Sequence, residues 1–385
     1  MFNFDFYNPT HIVFGKDRLS ELDRLIPKNA KVLVVYGGGS VEKFGTLDKV
    51  INSISGRKVL KFGGVEPNPK FDTLMKAVEI VKNENIDFLL AVGGGSVMDG
   101  TKFISIASKY LGEPEEILTY GFNYVPVDSV VPMGTVVTLP ATGSEMNNGA
   151  VISHKGLKVP VFSSHTFPVF SILDPTLTFT LPPTQVANGV IDTFVHVTEQ
   201  YITFPAEGRF QDRTAEGILQ TLIEIGKKTI DNPTDYDARA NLVWCATMGL
   251  NGLIGAGVPQ DWSAHMIGHE ITALFGVDHG KTLAIVQPSI WEVRKDKKSA
   301  KLLQFAERVW NIKEGDNDKK IELAISKTRE FFESLGVKTH LSDYGIKESD
   351  IDSIINSLEH NKRTHLSESR DMTLDVSREV LKLSL

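Results

Sequence analysis

Asp192 and His196 stand four residues apart in PPTQVANGVIDTFVHVTEQY, His265 and His269 stand four apart in DWSAHMIGHEITALF, and His279 follows alone in FGVDHGKTLA. Residues four apart share a face of an α-helix, so each pair presents its side chains together. One carboxylate with three imidazoles is a borderline oxygen and nitrogen donor set that suits Fe(II) or Zn(II). Four protein ligands leave room for water or substrate, so the set reads as a catalytic ion site. HMIGHE is not the HExxH of zinc peptidases, because Glu270 follows the second histidine. The five groups exceed the four or so places such an ion offers. Spacing alone does not choose between His265 and His269, and the one left over would stand near the substrate or relay a proton.

A second chemistry is suggested by a short repeat, YGGGSV at residues 36–41 and VGGGSV at residues 92–97. Each copy follows a β-rich run and precedes a helical one. Backbone N–H groups at such a helix start attract phosphate. Gly93, Gly94, Gly95 and Ser96 stand where a doubly wound sheet holds a dinucleotide pyrophosphate, although the spacing is not GxGxxG. A lone glycine triplet also makes a plain tight turn, but two of them beside a metal constellation favour the cofactor reading. In the first copy, Gly37, Gly38, Gly39 and Ser40 leave no carboxylate for an adenosine ribose, and Lys43 follows one turn later. That combination favours NADP(H) over NAD(H).

The elements that must position these residues are legible. Between residues 31 and 139, KVLVVY, KVLKF and DFLLAV alternate with the amphipathic stretches VEKFGTLDKVINSI, KFDTLMKAVEIVKN and SVMDGTKFISIASKY, the pattern of a parallel α/β sheet. VVPMGTVVTLP adds a strand, NNGAVISHKGLKVPVFSS reads as a hairpin, and FSILDP closes the sheet. From Thr184 onward, long helical periods dominate. The expected architecture is α/β plus all-α: residues 1–183 form a dinucleotide-binding domain and residues 184–385 a helical, metal-binding one. Asn147 and Asn148 could border a carbonyl pocket or serve the turn that they follow.

Composition narrows the class. The chain has 385 residues, 41% hydrophobic and 23% charged, with a formal net charge of -7 and no basic stripe. This disfavours nucleic-acid and membrane-surface partners. No run reaches the roughly 18 apolar residues of a membrane span, and the N-terminal stretch lacks the pattern of a secretory signal. A single cysteine, Cys245 in LVWCATMGL, fits a reducing, cytoplasmic setting and an inert core thiol.

The GGGSVMDGTK loop, the TLPATGSE strand end, and the D-x3-H and H-x3-H-x9-H spacings together resemble the iron-containing alcohol dehydrogenases over essentially the whole chain. Runs such as FGGVEPNP, NGLIGAGVPQDW and THLSDYG are similar to the branch of NADPH-dependent aldehyde reductases and butanol dehydrogenases. The resemblance implies Asp192, His196, His265 and His279 as metal ligands, with His269 near the substrate as a candidate proton donor. It also implies Gly95, Ser96 and Asp99 around the pyrophosphate and nicotinamide ribose, and Thr138, Thr142, Ser144 and Lys158 along the cofactor. The expected reaction is reversible hydride transfer between NADP(H) and short-chain aldehydes or primary alcohols, in a homodimer. The competing readings are an NAD-linked polyol dehydrogenase of the same fold and a metal-dependent lyase or hydrolase.

Overall fold

A computed structural model describes all residues, Met1–Leu385. The chain forms two compact units, Tyr7–Leu181 and Pro182–Leu385, with Met1–Phe6 belonging to the second.

The first unit is a six-stranded, wholly parallel sheet. Its strands are β1 (His11–Phe14), β2 (Lys31–Tyr36), β3 (Lys58–Phe62), β4 (Phe88–Gly93), β5 (Met133–Val137) and β8 (Phe170–Leu173), in the order β1-β8-β5-β4-β2-β3. The continuous apolar runs of β2 and β4 are buried along nearly their whole length, as strands covered on both faces must be. The edge strands β1 and β3 are only partly buried. Val32, Val34 and Tyr36 share a core with Leu22 of α1 (Leu22–Leu25) and with Leu47, Val50 and Ile54 in and just beyond α3 (Thr46–Ser53). The intervening Leu33 and Val35 point to the other face, where α4 (Phe71–Glu84) and α5 (Gly95–Ala107) pack. A four-residue turn of helix, α2 (Ser40–Lys43), follows β2. The antiparallel hairpin β6 (Gly149–His154) and β7 (Leu157–Phe162) stands apart from the sheet.

The second unit is helical: α6 (Pro183–Tyr201), α7 (Arg209–Asp231), α8 (Tyr236–Gly249), α9 (Ser263–Phe275), α10 (His279–Val293), α11 (Lys295–Arg308), α12 (Asn317–Ser334), α13 (Ile351–His360) and α14 (Leu374–Leu383). Helix α6 starts on Pro183, a residue preorganised for the first turn. Apart from Asn188, every α6 residue from Val186 to Tyr201 is buried, so other helices surround it. On one side Phe194 packs against Phe332 (5.4 Å between ring centroids), Phe331 (5.6 Å) and Phe305 (6.4 Å), and Trp291 extends the cluster through Phe305 (5.4 Å). Asp192 lies two positions before Phe194, about 200° away around the helix, so the polar face of α6 is turned from the aromatic core. Phe194→Ala should therefore cost about 3–5 kcal/mol, read as a lower chemical-denaturation midpoint. A loss below about 1 kcal/mol would show that this cluster is not the core of the helical unit.

Candidate metal centre and cofactor loops

Helices α6, α9 and α10 meet because small residues let them approach. A Cβ added to Gly280, one residue into α10, would come within 2.7 Å of the Asn188 carbonyl oxygen and 2.8 Å of its Cα, both backbone atoms of α6. A Cβ on Gly268 of α9 would meet Thr282 Oγ1 of α10 at 2.7 Å. Gly280 is thus a packing requirement that carries His279, its neighbour, to the polar face of α6.

Around that face, Asp192 Oδ1 lies 3.6 Å from His196 Nε2, 3.6 Å from His265 Nε2 and 3.7 Å from His279 Nε2. Donor atoms about 2.1 Å from a tetrahedral ion lie about 3.4 Å from one another, so these separations suit a shared cation. Asp192 Oδ1 and His265 Nε2 are fully buried and have no hydrogen-bond partner, an arrangement that costs stability unless something charged lies between them. The set of donors all within 4.8 Å of one another comprises Asp192, His265 and His279, while His196 joins through its approach to Asp192 and stacks on His265 at 4.5 Å. His269 stands beside the set, its ring 5.0 Å from that of His279 and 6.3 Å from that of His265. Of the two histidines that spacing leaves equivalent, the one whose nitrogen faces Asp192 is His265.

Electrostatics favour positive charge here. Burial alone would raise the Asp192 carboxyl, but the imidazoles of His196, His265 and His279 outweigh it and hold it below the usual carboxylate range. Burial opposes charging of His265, yet Glu199 and Asp192 lift it to about 9. Trp262 walls this side, with its ring 5.2 Å from that of His265 and 6.1 Å from that of His196. Its backbone is left-handed (φ 65°), which is uncommon for a bulky residue and typical of functional sites.

In the sheet unit, β3 lies to one side of β2 and β4 to the other, so the chain reverses its direction of winding between β2 and β4. The carboxyl ends at such a switch point are where doubly wound sheets take ligands. Gly37, Gly38, Gly39 and Ser40 follow β2, Gly94, Gly95 and Ser96 follow β4, and Thr138, Thr142 and Ser144 follow β5, on three adjacent strands. Gly39 has a positive φ of 96° that glycine adopts without strain. A Cβ on Gly95 would meet Thr142 Oγ1 at 2.5 Å, so only glycine admits this threonine to the start of α5. The first N–H groups of that 13-residue helix have no partner within it and remain available to an anion. Thr138 is tied to β4 by its N–H, which donates to the Gly93 carbonyl at 2.9 Å.

Asp99 serves as a bracket. Its Oδ1 accepts from Ser144 Oγ at 2.6 Å and its Oδ2 from the Val151 N–H at 2.9 Å, joining α5 to the turn after β5 and to β6. Burial raises its carboxyl, with Lys102, Ser144 and Lys158 acting in the opposite direction. Lys158 lies half-buried on β7, opposite Ser153. Asn147 and Asn148 serve turns: Asn147 Oδ1 accepts from Lys102 Nζ at 2.8 Å, and Asn148 Nδ2 donates to the Ser163 carbonyl at 3.1 Å. Cys245 is buried and its thiol is pushed up to about 12, which agrees with an inert core position.

Several participants escaped the sequence reading. Glu199, seven residues after Asp192 on the same face of α6, reaches His265. Lys102, three residues after Asp99 in a mostly buried helix, donates to Ser144 Oγ, Asn147 Oδ1 and the Gly149 carbonyl, all within 2.9 Å. Burial lowers its ammonium to about 8, with Asp99 and Glu145 opposing. The first glycine loop is not free of carboxylates: Glu42 Oε2 lies 3.7 Å from a Cβ placed on Gly39, while its Oε1 accepts from Tyr36 Oη at 2.9 Å.

Comparison with known proteins gives a consistent picture. The chain is 56% identical over 384 residues to the NADPH-dependent aldehyde reductase YqhD of Escherichia coli K12, covering 99% of each. It is 41% identical over 361 residues to a probable NADH-dependent butanol dehydrogenase of Bacillus subtilis, covering 92% of each. The crystal structure of an NADH-dependent butanol dehydrogenase from Thermotoga maritima superposes with a TM-score of 0.93 at 35% identity, covering 100% of this chain and 99% of that one. Residues 9–175 match the iron-containing alcohol dehydrogenases, and residues 186–384 match the C-terminal portion of the Fe-containing alcohol dehydrogenase family. The chain belongs to the iron-containing alcohol dehydrogenase family.

Proposed function

We propose that this oxidoreductase interconverts short-chain aldehydes and primary alcohols with NADP(H), using one divalent ion, Fe(II) or Zn(II), on Asp192, His196, His265 and His279. The observation that carries the reading is the buried, unpartnered pair of Asp192 Oδ1 and His265 Nε2 facing one another. An ion held there would supply Lewis-acid polarisation of a carbonyl oxygen, and a reduced nicotinamide would be the source of hydride. The chain's own residues do the rest. Asp192 balances part of the charge of the ion. The N–H groups from Gly94 to Ser96 receive the dinucleotide phosphates, with Thr138, Thr142, Ser144 and Lys158 along the cofactor and Asp99 holding Ser144 in place. Reduction also needs one proton on oxygen, and His269, buried beside His279, is assigned to deliver it.

Ser40 and Lys43 beside Gly37–Gly39 support a 2′-phosphate, as does the NADPH named for the 56%-identical relative. Glu42 and the NADH named for the 41%-identical relative support NAD(H) as the second reading. Membership of an alcohol dehydrogenase family leaves the lyase and hydrolase readings without support. No helix is long and apolar enough to cross a membrane; with its one cysteine, the protein is assigned to the cytoplasm. The helical unit leaves Phe2, Phe4, Phe6 and Phe210 exposed, and Phe2 packs edge-on to Phe204 at 6.5 Å. Large apolar side chains exposed in this way call for a cover, and we infer a homodimer that buries them.

Butanal-dependent oxidation of NADPH should exceed that of NADH, vanish on chelation and return with Fe(II) or Zn(II). Equal use of NADH would transfer the weight to Glu42, and activity indifferent to chelation would remove the metal centre. His269→Ala should lower turnover while metal content is retained; loss of the metal would instead make His269 a ligand. In sedimentation velocity the native chain should run at about twice 42.5 kDa and the Phe4→Asp, Phe210→Asp double variant as a monomer, whereas a monomeric native chain would contradict the dimer.

A further inference from the structure

We propose that Glu199 is the positioning residue of the metal centre: it fixes the tautomer of His265 so that Nε2 is left as a lone pair facing Asp192. The inference rests on the metal-site reading above. Glu199 is buried on α6, three residues after His196 and seven after Asp192, so one helix face carries two ligands and the group that orients a third. Its Oε2 is hydrogen-bonded to His265 Nδ1, and its Oε1 accepts the Ala264 N–H at 2.6 Å, one residue into α9. A carboxylate is acceptor-only, so the proton between them belongs to Nδ1, and Nε2 is the nitrogen left to give up its proton to an ion. This is the carboxylate–histidine arrangement that orients metal ligands and raises their basicity.

The helix start that delivers His265 is held independently. The Asp261 N–H donates to the Glu199 carbonyl at 2.8 Å, and Asp261 Oδ1 accepts the Ser263 N–H at 3.1 Å. Asp261 Oδ2 pairs with Lys298 Nζ at 2.8 Å, and that ammonium also reaches Glu368 Oε2 at 2.9 Å and the Ile202 carbonyl at 2.9 Å. With α9 anchored in this way, removal of the Glu199 charge should act on the imidazole more than on the fold. A glutamine in its place has one acceptor and one donor end. If the acceptor keeps Ala264 N–H, the donor faces His265 Nδ1 and forces the proton onto Nε2, the nitrogen that the ion requires.

The test is Zn(II) retention by the full-length chain against a graded chelator, in the native protein and in Glu199→Gln, Glu199→Ala and His265→Ala, with the thermal midpoint of each metal-free form alongside. Glu199→Gln should hold zinc about 10- to 100-fold more weakly with a near-native metal-free midpoint. Zinc affinity within about twofold of native in both Glu199 variants would overturn the proposal, whether or not their midpoints fall; that outcome would make Glu199 a helix tether only. Native zinc affinity in His265→Ala would count against the metal centre itself. If the Glu199 variants do not fold, histidine-selective nitrogen NMR of the native zinc form decides: His265 should show a protonated Nδ1 and a metal-bound Nε2, and the reverse assignment overturns the proposal.

Discussion

An ionised carboxylate without solvent costs several kcal/mol unless opposite charge and hydrogen bonds compensate for it. Asp192 carries such a charge at the centre of the helical unit, with the nitrogens of three imidazoles about it and one oxygen unpartnered. The neighbouring structure brings these donors together around it. Helix α6 supplies the carboxylate, α9 arrives with its first turn tied to Glu199 and Asp261, and α10 comes close enough only because residue 280 has no side chain.

The same helix faces two environments. Phe194 anchors α6 in an aromatic cluster, while Asp192, His196 and Glu199 occupy its polar side. Burial of the aromatic side provides stability, and the rigidity that results allows an internal charge to be held at fixed distances from its neighbours. Buried charges such as Lys298, Asp261 and Glu270 serve the same end. Glu270, one residue beyond His269, accepts from Ser357, Asn361 and Arg363 and so ties α9 to α13 and the chain just after it. Helix α9 is thereby fixed at its first turn and at Glu270, and the histidines between are held in register.

The sheet unit solves a different problem, that of exposing backbone donors at one edge. Strand order places three loops side by side at the carboxyl ends of β2, β4 and β5, and the glycine at position 95 removes the side chain that would displace Thr142. Lys102 and Asp99 brace these loops from within α5: Lys102 donates to Asn147 Oδ1 and the Gly149 carbonyl, and Asp99 accepts from Val151. Both are charged groups in the same mostly buried helix.

Periodicity in the sequence was sufficient for the alternation of strands and helices, the hairpin, the helical second half and the two histidine pairs, because these depend on residues a few positions apart. It also gave the switch-point loops, since two glycine repeats each follow a buried strand. It did not separate His265 from His269, whose spacing from every other candidate is equally permissive; that depends on how α9 is rotated against α6, which the Glu199 contact and the helix packing set. Glu42, three residues beyond Gly39, was within reach of the same local reading, whereas Met1–Phe6 joins the helical unit only because the chain returns across space. Local order is written in spacing because backbone geometry repeats every few residues. Distances between side chains on different helices belong to the tertiary structure alone, because only the packing of whole elements decides which faces meet.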